Sequence, residues 1–388
     1  MAILSKLLAV TLALTASVTA AIPKTDYDVI VVGGGPAGLS VMSGLSRVRR
    51  KTALFDSHQY RNDPTREMHD VIGNDGTPPA VFRNAARQQI TSKYNNTATF
   101  IDNAIVSITP RNTTGSTFFT AIDSTGHNYT TRKVVLATGV VDVLPATPGL
   151  SDFFGKGIFW CPWCDGFEHR DQPFGILGTL SHIVSSVQEM ATLNNDIIAF
   201  VNGSYTQPEI AALEEDYPEW KAQMDAYNVR IDNRTITSIE RLQDGGEHTN
   251  EAGDMQIDVF RIHFTEGEPV VRNAFLTNFG TAQRSTLPRD MGLKMDKDGK
   301  IDTSSYSGMR TSLAGVFAVG DANSDGSTNV PHAMFSGKRA AVYGHVELAR
   351  EEMAAAVAKR SLNVRELKKE AERAMGDDME MIWERVKA

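Results

Sequence analysis

Cys161 and Cys164 are the only cysteines in a chain of 388 residues, and Pro162 and Trp163 alone separate them. The C-x-x-C spacing lets two sulfurs pass between dithiol and disulfide, and it lowers the pKa of one thiol. As a structural staple the pair would do little, because closing so short a loop removes very little unfolded-state entropy. A chain of this length builds an ample core without it. Zinc lacks its remaining ligands, since neither a second C-x-x-C nor an H-x-x-x-H follows, and no metal site is expected. What is left is a redox pair, and a dithiol needs somewhere to send its electrons.

The acceptor is bound near the start of the chain. "YDVIVVGGGPAGLSVMSGLSRV" predicts a buried strand over Val29 to Val32, a glycine turn, and a helix with apolar positions at Leu39, Met42 and Leu45. Gly33, Gly35 and Gly38 make G-x-G-x-x-G, with Gly34, Pro36 and Ala37 filling the turn. Small residues there let backbone approach a pyrophosphate at the helix N-terminus. A second strand, "TALFD", ends at Asp56, placed for the hydroxyls of an adenosine ribose. Strand, turn, helix and acid together specify a dinucleotide site.

The first residues read as a secretory leader over 1–21. Lys6 precedes an apolar run that Thr11, Thr15, Ser17 and Thr19 interrupt, and small residues at Val18 and Ala20 suit a signal peptidase. The run is too short and too broken for a membrane anchor, and a secreted protein is expected. Sequons at Asn95, Asn112, Asn128, Asn202 and Asn233 agree with that location. The formal charge of −8, with no basic stripe, argues against nucleic acid as a partner.

Further along, "KVVLATGVVDVLPATPG" ends a strand at Thr138-Gly139, and "GVFAVGDANSDG" ends another at Gly320-Asp321. With the glycine turn before them and "CPWCDGFEHRDQPFGILG" between, the motif order resembles that of the low-molecular-weight thioredoxin reductase family. The resemblance runs from residue 26 to about 350. It implies an α/β protein of two Rossmann-like three-layer domains, the two-dinucleotide-binding flavoprotein fold, with FAD as cofactor and a homodimer as the usual assembly. The expected plan is an FAD domain from 24–149 and 285–360, an inserted NAD(P)H-like domain over 150–284 carrying the cysteines, and a helical tail over 361–388. Gly149, Gly155 and Pro288 supply hinge chemistry at the junctions.

The departure from that family is informative. A second G-x-G-x-x-G/A is expected at "FGILG", yet from Gly178 the chain reads G-T-L-S-H-I, with Leu180 and Ile183 where glycine and a small residue belong. A branched side chain at Leu180 is expected to fill the pyrophosphate's space. From Asp171 to Trp220 there is no lysine or arginine to hold a 2′-phosphate. Electrons are therefore expected to run from substrate thiols through the cysteines to FAD and on to dioxygen. "FDSHQYRNDPTREMHDVIGNDG" and "NVPHAMFSGKRAAVYGHVELAREE" resemble the fungal branch of secreted sulfhydryl oxidases and gliotoxin-type dithiol oxidases.

The resemblance also implies roles. Cys164 faces the flavin and Cys161 meets the thiol substrate. His332 falls where the family's chain passes the flavin ring and is the first candidate base, beside Ala333 in the FAD site. Asp165 is either a proton relay or the cap of the next helix. Ser57, Arg61, Asn62 and His69 belong to an FAD-contacting loop after Asp56, and Thr138, Gly139 and Asp321 meet the same cofactor. Phe159, Trp160 and Trp163 form either an apolar mouth for thiols or ordinary core.

Overall fold

The computed structural model describes residues 22–113 and 116–387; the leader expected over 1–21 lies outside them. The chain opens with β1 (Tyr27–Val32), α1 (Pro36–Arg47), β2 (Thr52–Phe55), α2 (Pro79–Tyr94) and β3 (Ala98–Ile101). A hairpin of β4 (Ile105–Thr113) and β5 (Ser116–Asp123) leads to β6 (Asn128–Leu136). The first sheet has the order β3-β2-β1-β6-β5-β4. Val29 to Val32 and Thr52 to Phe55 are buried because helices and hairpin cover both faces, as a parallel core requires.

The chain leaves this body through β7 (Val140–Asp142), which pairs antiparallel with the returning β16 (Thr281–Gln283). Between them run α3 (Leu150–Phe153), β8 (Ile158–Phe159), α4 (Pro162–Asp165), β9 (Phe174–Leu177), α5 (Ile183–Met190) and β10 (Ile197–Phe200). There follow α6 (Gln207–Asp216), α7 (Trp220–Ala226), β11 (Arg230–Asp232), β12 (Ile236–Gln243), β13 (Val259–Phe264), β14 (Val270–Arg272) and β15 (Ala274–Thr277). A parallel sheet β11-β10-β9-β15-β8 and an antiparallel sheet β12-β13-β14 result. Phe174, Ile176, Val184, Trp220 and Met224 form the core between sheet and helices.

After β16 come α8 (Leu287–Asp290), β17 (Val316–Ala318) and α9 (Val330–Lys387). Strand β17 returns to the first sheet and pairs in parallel with the last residues of β6, whose earlier residues pair with β5 on the same edge. The tail expected from residue 361 is no separate element. Helix α9 runs unbroken for 58 residues, about 87 Å at 1.5 Å per residue. Neither proline nor glycine interrupts it near 361, so nothing there terminates the helix. No helix among the described residues is long and apolar enough to cross a membrane.

Charge fixes α9 to the sheet. Glu352 Oε1 accepts from Arg50 Nη1 and Arg132 Nη1, both at 2.5 Å, and Arg132 Nη2 also reaches Glu351 at 2.8 Å. The Arg50 hydrogen bond holds the Glu352 carboxyl below its usual range, against desolvation and with help from Arg132. A depressed carboxylate pKa stabilises the fold above the unfolded value and is lost as pH falls through the folded one. Glu352 is 36% exposed, so screening limits the effect of Glu352→Gln to about 1 kcal/mol, or about 2–4 °C in Tm. The Tm difference from wild type is expected to be full above about pH 5 and to vanish on acidification, which thermal melts across pH will measure.

Candidate active site

Strand β1 delivers the chain into a turn that only glycine can make. Gly33 has φ +114°, and a Cβ there would lie 2.2 Å from the Ala137 carbonyl oxygen. Gly38, on the first turn of α1, packs so closely that its Cβ would stand 1.9 Å from the Gly33 oxygen. Pro36 starts α1 without forfeiting a needed N–H. Beyond the turn opens a cavity of about 500 Å³.

Gly33, Gly34, Gly35, Pro36 and Ala37 line one end of it, with Asp56 and Ser57 beside them. Arg61, Asn62, His69, Thr138, Gly139, Asp321 and Ala333 line the rest, whereas Gly38 stands behind the wall as a packing residue. The buried Asp56 carboxylate is oriented by the His58 N–H at 2.9 Å and the Tyr60 hydroxyl at 2.6 Å. Arg61 joins Asp142 (2.6 Å) to Asp321 (2.9 Å) and lies over the Trp160 ring. Thr138 Oγ1 is buried in this wall with no protein partner. An orphaned hydroxyl, a glycine cradle and an oriented acid fit a dinucleotide.

The cysteines stand at the other end of the cavity. Cys161 precedes α4, Pro162 occupies its first position, and the two sulfurs are joined as a disulfide. The Cys164 and Asp165 N–H groups both donate to the Cys161 carbonyl, at 3.1 and 3.2 Å. Cys164, Asp165 and Trp160 line the cavity, and Cys161 does not. Two histidines grip this short turn. His69 Nδ1–H donates to the Cys164 carbonyl (2.7 Å), and His169 Nδ1–H to the Asp165 carbonyl (2.8 Å). Burial pushes the Asp165 carboxyl up to about 7, against the opposing pull of His169 and His69. It therefore exchanges a proton near neutrality beside Cys164.

His332 is placed differently. It sits in the first turn of α9 with Nε2 2.7 Å from Asp325 Oδ2, off the cavity wall that Val330 and Ala333 help to form. Asp165, not His332, is brought next to Cys164. The aromatic residues divide as well: Phe159 is core, Trp160 stacks on Phe154 and faces the cavity, and Trp163 is 66% exposed with Phe167 nearby at 55%.

The second nucleotide turn is closed. Leu180 is fully buried, packed inward among Ile176, Ile183 and Ile210, so it anchors the turn rather than projecting into a pyrophosphate site. A 3₁₀ turn over Leu180–His182 replaces the first turn of α5. The Leu180 N–H is spent on Ser204 Oγ (2.8 Å) and the His182 N–H on the Thr179 carbonyl (3.1 Å). Two amides of this turn are thus used internally.

Sequence reasoning passes over Tyr60, which orients Asp56, and Arg66, whose partners lie far along the chain. Both stand in the quoted segment after β2, but nothing in their spacing marks them. The one-sided exposure of the cysteines to the cavity predicts asymmetric variants. Reduced Cys161→Ser should show a long-wavelength thiolate–flavin charge-transfer band, and Cys164→Ser should lack it; absorption spectra of the two distinguish the roles.

Residues 27–337 match the sequence profile of the pyridine nucleotide-disulphide oxidoreductases. A "probable thioredoxin reductase" of Arthroderma benhamiae is 51% identical over 393 aligned residues, spanning 97% of this chain and 96% of that protein. "Thioredoxin reductase tcpT" of Claviceps purpurea is 31% identical across 80% of this chain and 90% of its own. Among solved structures, HlmI superposes with a TM-score of 0.73 at 27% identity, covering 87% of this chain and 97% of that one. The "Putative Thioredoxin Reductase TrxB" of Bacillus anthracis shares the fold, with a TM-score of 0.71 at 23% identity over 84% and 99% of the two chains. The two-domain α/β architecture, the glycine cradle and the Cys161–Cys164 disulfide thus go together with sequence: this chain belongs to the pyridine nucleotide-disulphide oxidoreductase family, as a thioredoxin reductase-like flavoprotein.

Proposed function

We propose that the protein is a secreted sulfhydryl oxidase that binds FAD, converts small thiols such as glutathione to disulfides, and passes the electrons to dioxygen. The observation that carries this reading is the second nucleotide turn, where internal hydrogen bonds take the Leu180 and His182 amides and no lysine or arginine stands between Asp171 and Trp220. Without a nicotinamide donor, the thiol is the reductant.

The residues present suit FAD. Asp56 would meet the adenosine ribose, the Gly33–Gly38 turn the pyrophosphate, and Asp321 with Thr138 the middle of the cofactor. When bound, FAD supplies a two-electron acceptor that dioxygen reoxidises with formation of hydrogen peroxide.

The chain's own steps are thiol–disulfide exchange. A substrate thiolate bonds to Cys161 Sγ as the Cys161–Cys164 bond breaks, leaving Cys164 as thiolate on the cavity side. A second substrate thiolate then takes the substrate sulfur, releasing Cys161 and one substrate disulfide. Two electrons now reside in the cysteine pair, and the thiol protons remain to be moved. Asp165, with its pKa near 7, holds or releases a proton on the cavity wall. Exposed Trp163 and Phe167 beside the pair also suit a bulkier dithiol, which makes a gliotoxin-type metabolite dithiol the second reading.

Oxygen-electrode assays with glutathione, cysteine, dithiothreitol and a reduced protein are expected to show oxygen uptake and peroxide release without NADPH. Turnover strictly dependent on NADPH would refute the reading. Asp165→Asn should keep its flavin absorbance yet slow flavin reduction by thiol about 10²–10⁴-fold, with loss of the pH limb near 7. His332→Ala should change that rate far less, as a stopped-flow comparison of the two variants will reveal.

A further inference from the structure

The segment joining β2 to α2 belongs to the first sheet's body, yet it closes on the body that carries the cysteines. Arg66 donates four hydrogen bonds across the seam. Nη1 reaches Gln256 Oε1 (2.6 Å) and Asp258 Oδ2 (3.0 Å), and Nη2 reaches Asp258 Oδ1 (2.8 Å) and Asp244 Oδ1 (2.5 Å). The Asp258 side chain has no exposed surface. Its other contacts are the Gly245 N–H at 2.9 Å and His169 Nε2 at 3.3 Å. Separating the two bodies would break all four of these hydrogen bonds and take the main counter-charge from this carboxylate.

The same contacts reach the redox turn. His169, leaning on Asp258, holds the Asp165 carbonyl, and His69, three residues beyond Arg66, holds the Cys164 carbonyl. Consecutive carbonyls of one short helix are thereby tied, directly or through Asp258, to one segment of the other body. Pro64 of that segment also abuts Gly155, where a Cβ would lie 3.1 Å from the Pro64 Cβ. Held in this way, the turn shows Cys164 to the cavity and leaves Cys161 off it, with exposed Trp163 and Phe167 alongside.

We propose that Arg66 latches the two bodies together, so that the disulfide works from one fixed position throughout the cycle: thiols exchange at Cys161 from the outer face while Cys164 stays on the flavin side. This rests on the thiol-to-flavin direction argued above. Arg66 acts as a positioning residue, since it touches neither the cysteines nor the cavity wall. Its charged and titratable neighbours across the seam are Asp244, Asp258, His169 and Asp165, with Arg241 sharing Asp244.

The test joins the bodies covalently. In the FAD-loaded, oxidised protein the native cysteines are tied to each other, so a short thioether cross-linker can bridge only the new pair in Pro64→Cys/Gly155→Cys. Under nitrogen, dithiothreitol should bleach the flavin at rates within about twofold before and after cross-linking, because nothing has to move. A drop of about tenfold or more on cross-linking alone overturns the latch. Hydrogen exchange on the wild-type protein is a second, independent test that needs no variant. The Gly245 amide, bonded to Asp258, should keep its protection in oxidised and dithiothreitol-reduced protein alike, and a loss of about tenfold on reduction overturns the proposal. Neither readout involves oxygen, so a protein that fails as an oxidase still answers the question of the latch.

Discussion

A carboxylate with no access to water must be paired where it sits, and Asp258 is such a group. Its partners come from both halves of the molecule: Arg66 from the segment after β2, His169 from the turn after the cysteines, and the Gly245 amide from the loop after β12. Meeting that one requirement sets where the second body stands against the first. It also sets where Cys164 and Asp165 stand relative to the cleft, because His169 spends its other nitrogen on the Asp165 carbonyl. Histidine suits the position since a ring with a nitrogen on each side can address a carboxylate and a carbonyl at once. The redox centre is thus held through electrostatics some distance from the sulfurs themselves.

Much of the first body is legible in the sequence because its determinants are local. The apolar run of β1, the glycine turn and the apolar spacing of α1 are consecutive, and Gly33 and Gly38 answer contacts with the residue after β6 and within the same β–α unit. Asp56 follows from its place at the end of β2, and it lies on the cavity wall. Helix α9 differs from expectation at residue 361 because a shift toward charged composition resembles a boundary, whereas a helix ends only where a terminator ends it.

Which candidate acid or base lies near the redox pair is not legible in this way. His332 and Asp165 are both candidates by sequence, and which of them meets the cysteines depends on contacts between elements that are far apart along the chain. His332 lies against Asp325 in its own neighbourhood, while Asp165 is brought to the cavity wall by α4, where partial desolvation raises its pKa. Leu180 shows the same limit. Its side chain, expected to fill a pyrophosphate's space, packs into the core instead, and the local turn is shaped by a 3₁₀ segment and by Ser204 taking an amide.

The direction of electron flow depends on which reductant reaches the flavin. Anaerobic titration of the flavin absorbance in the same preparation, once with a dithiol and once with NADPH, decides this most directly. Complete bleaching by no more than about two equivalents of dithiol is predicted, since the Cys161–Cys164 disulfide and the flavin each take two electrons, and no change is predicted with excess NADPH. Stoichiometric bleaching by NADPH, with thiols inert, would contradict a thiol-driven flavoprotein.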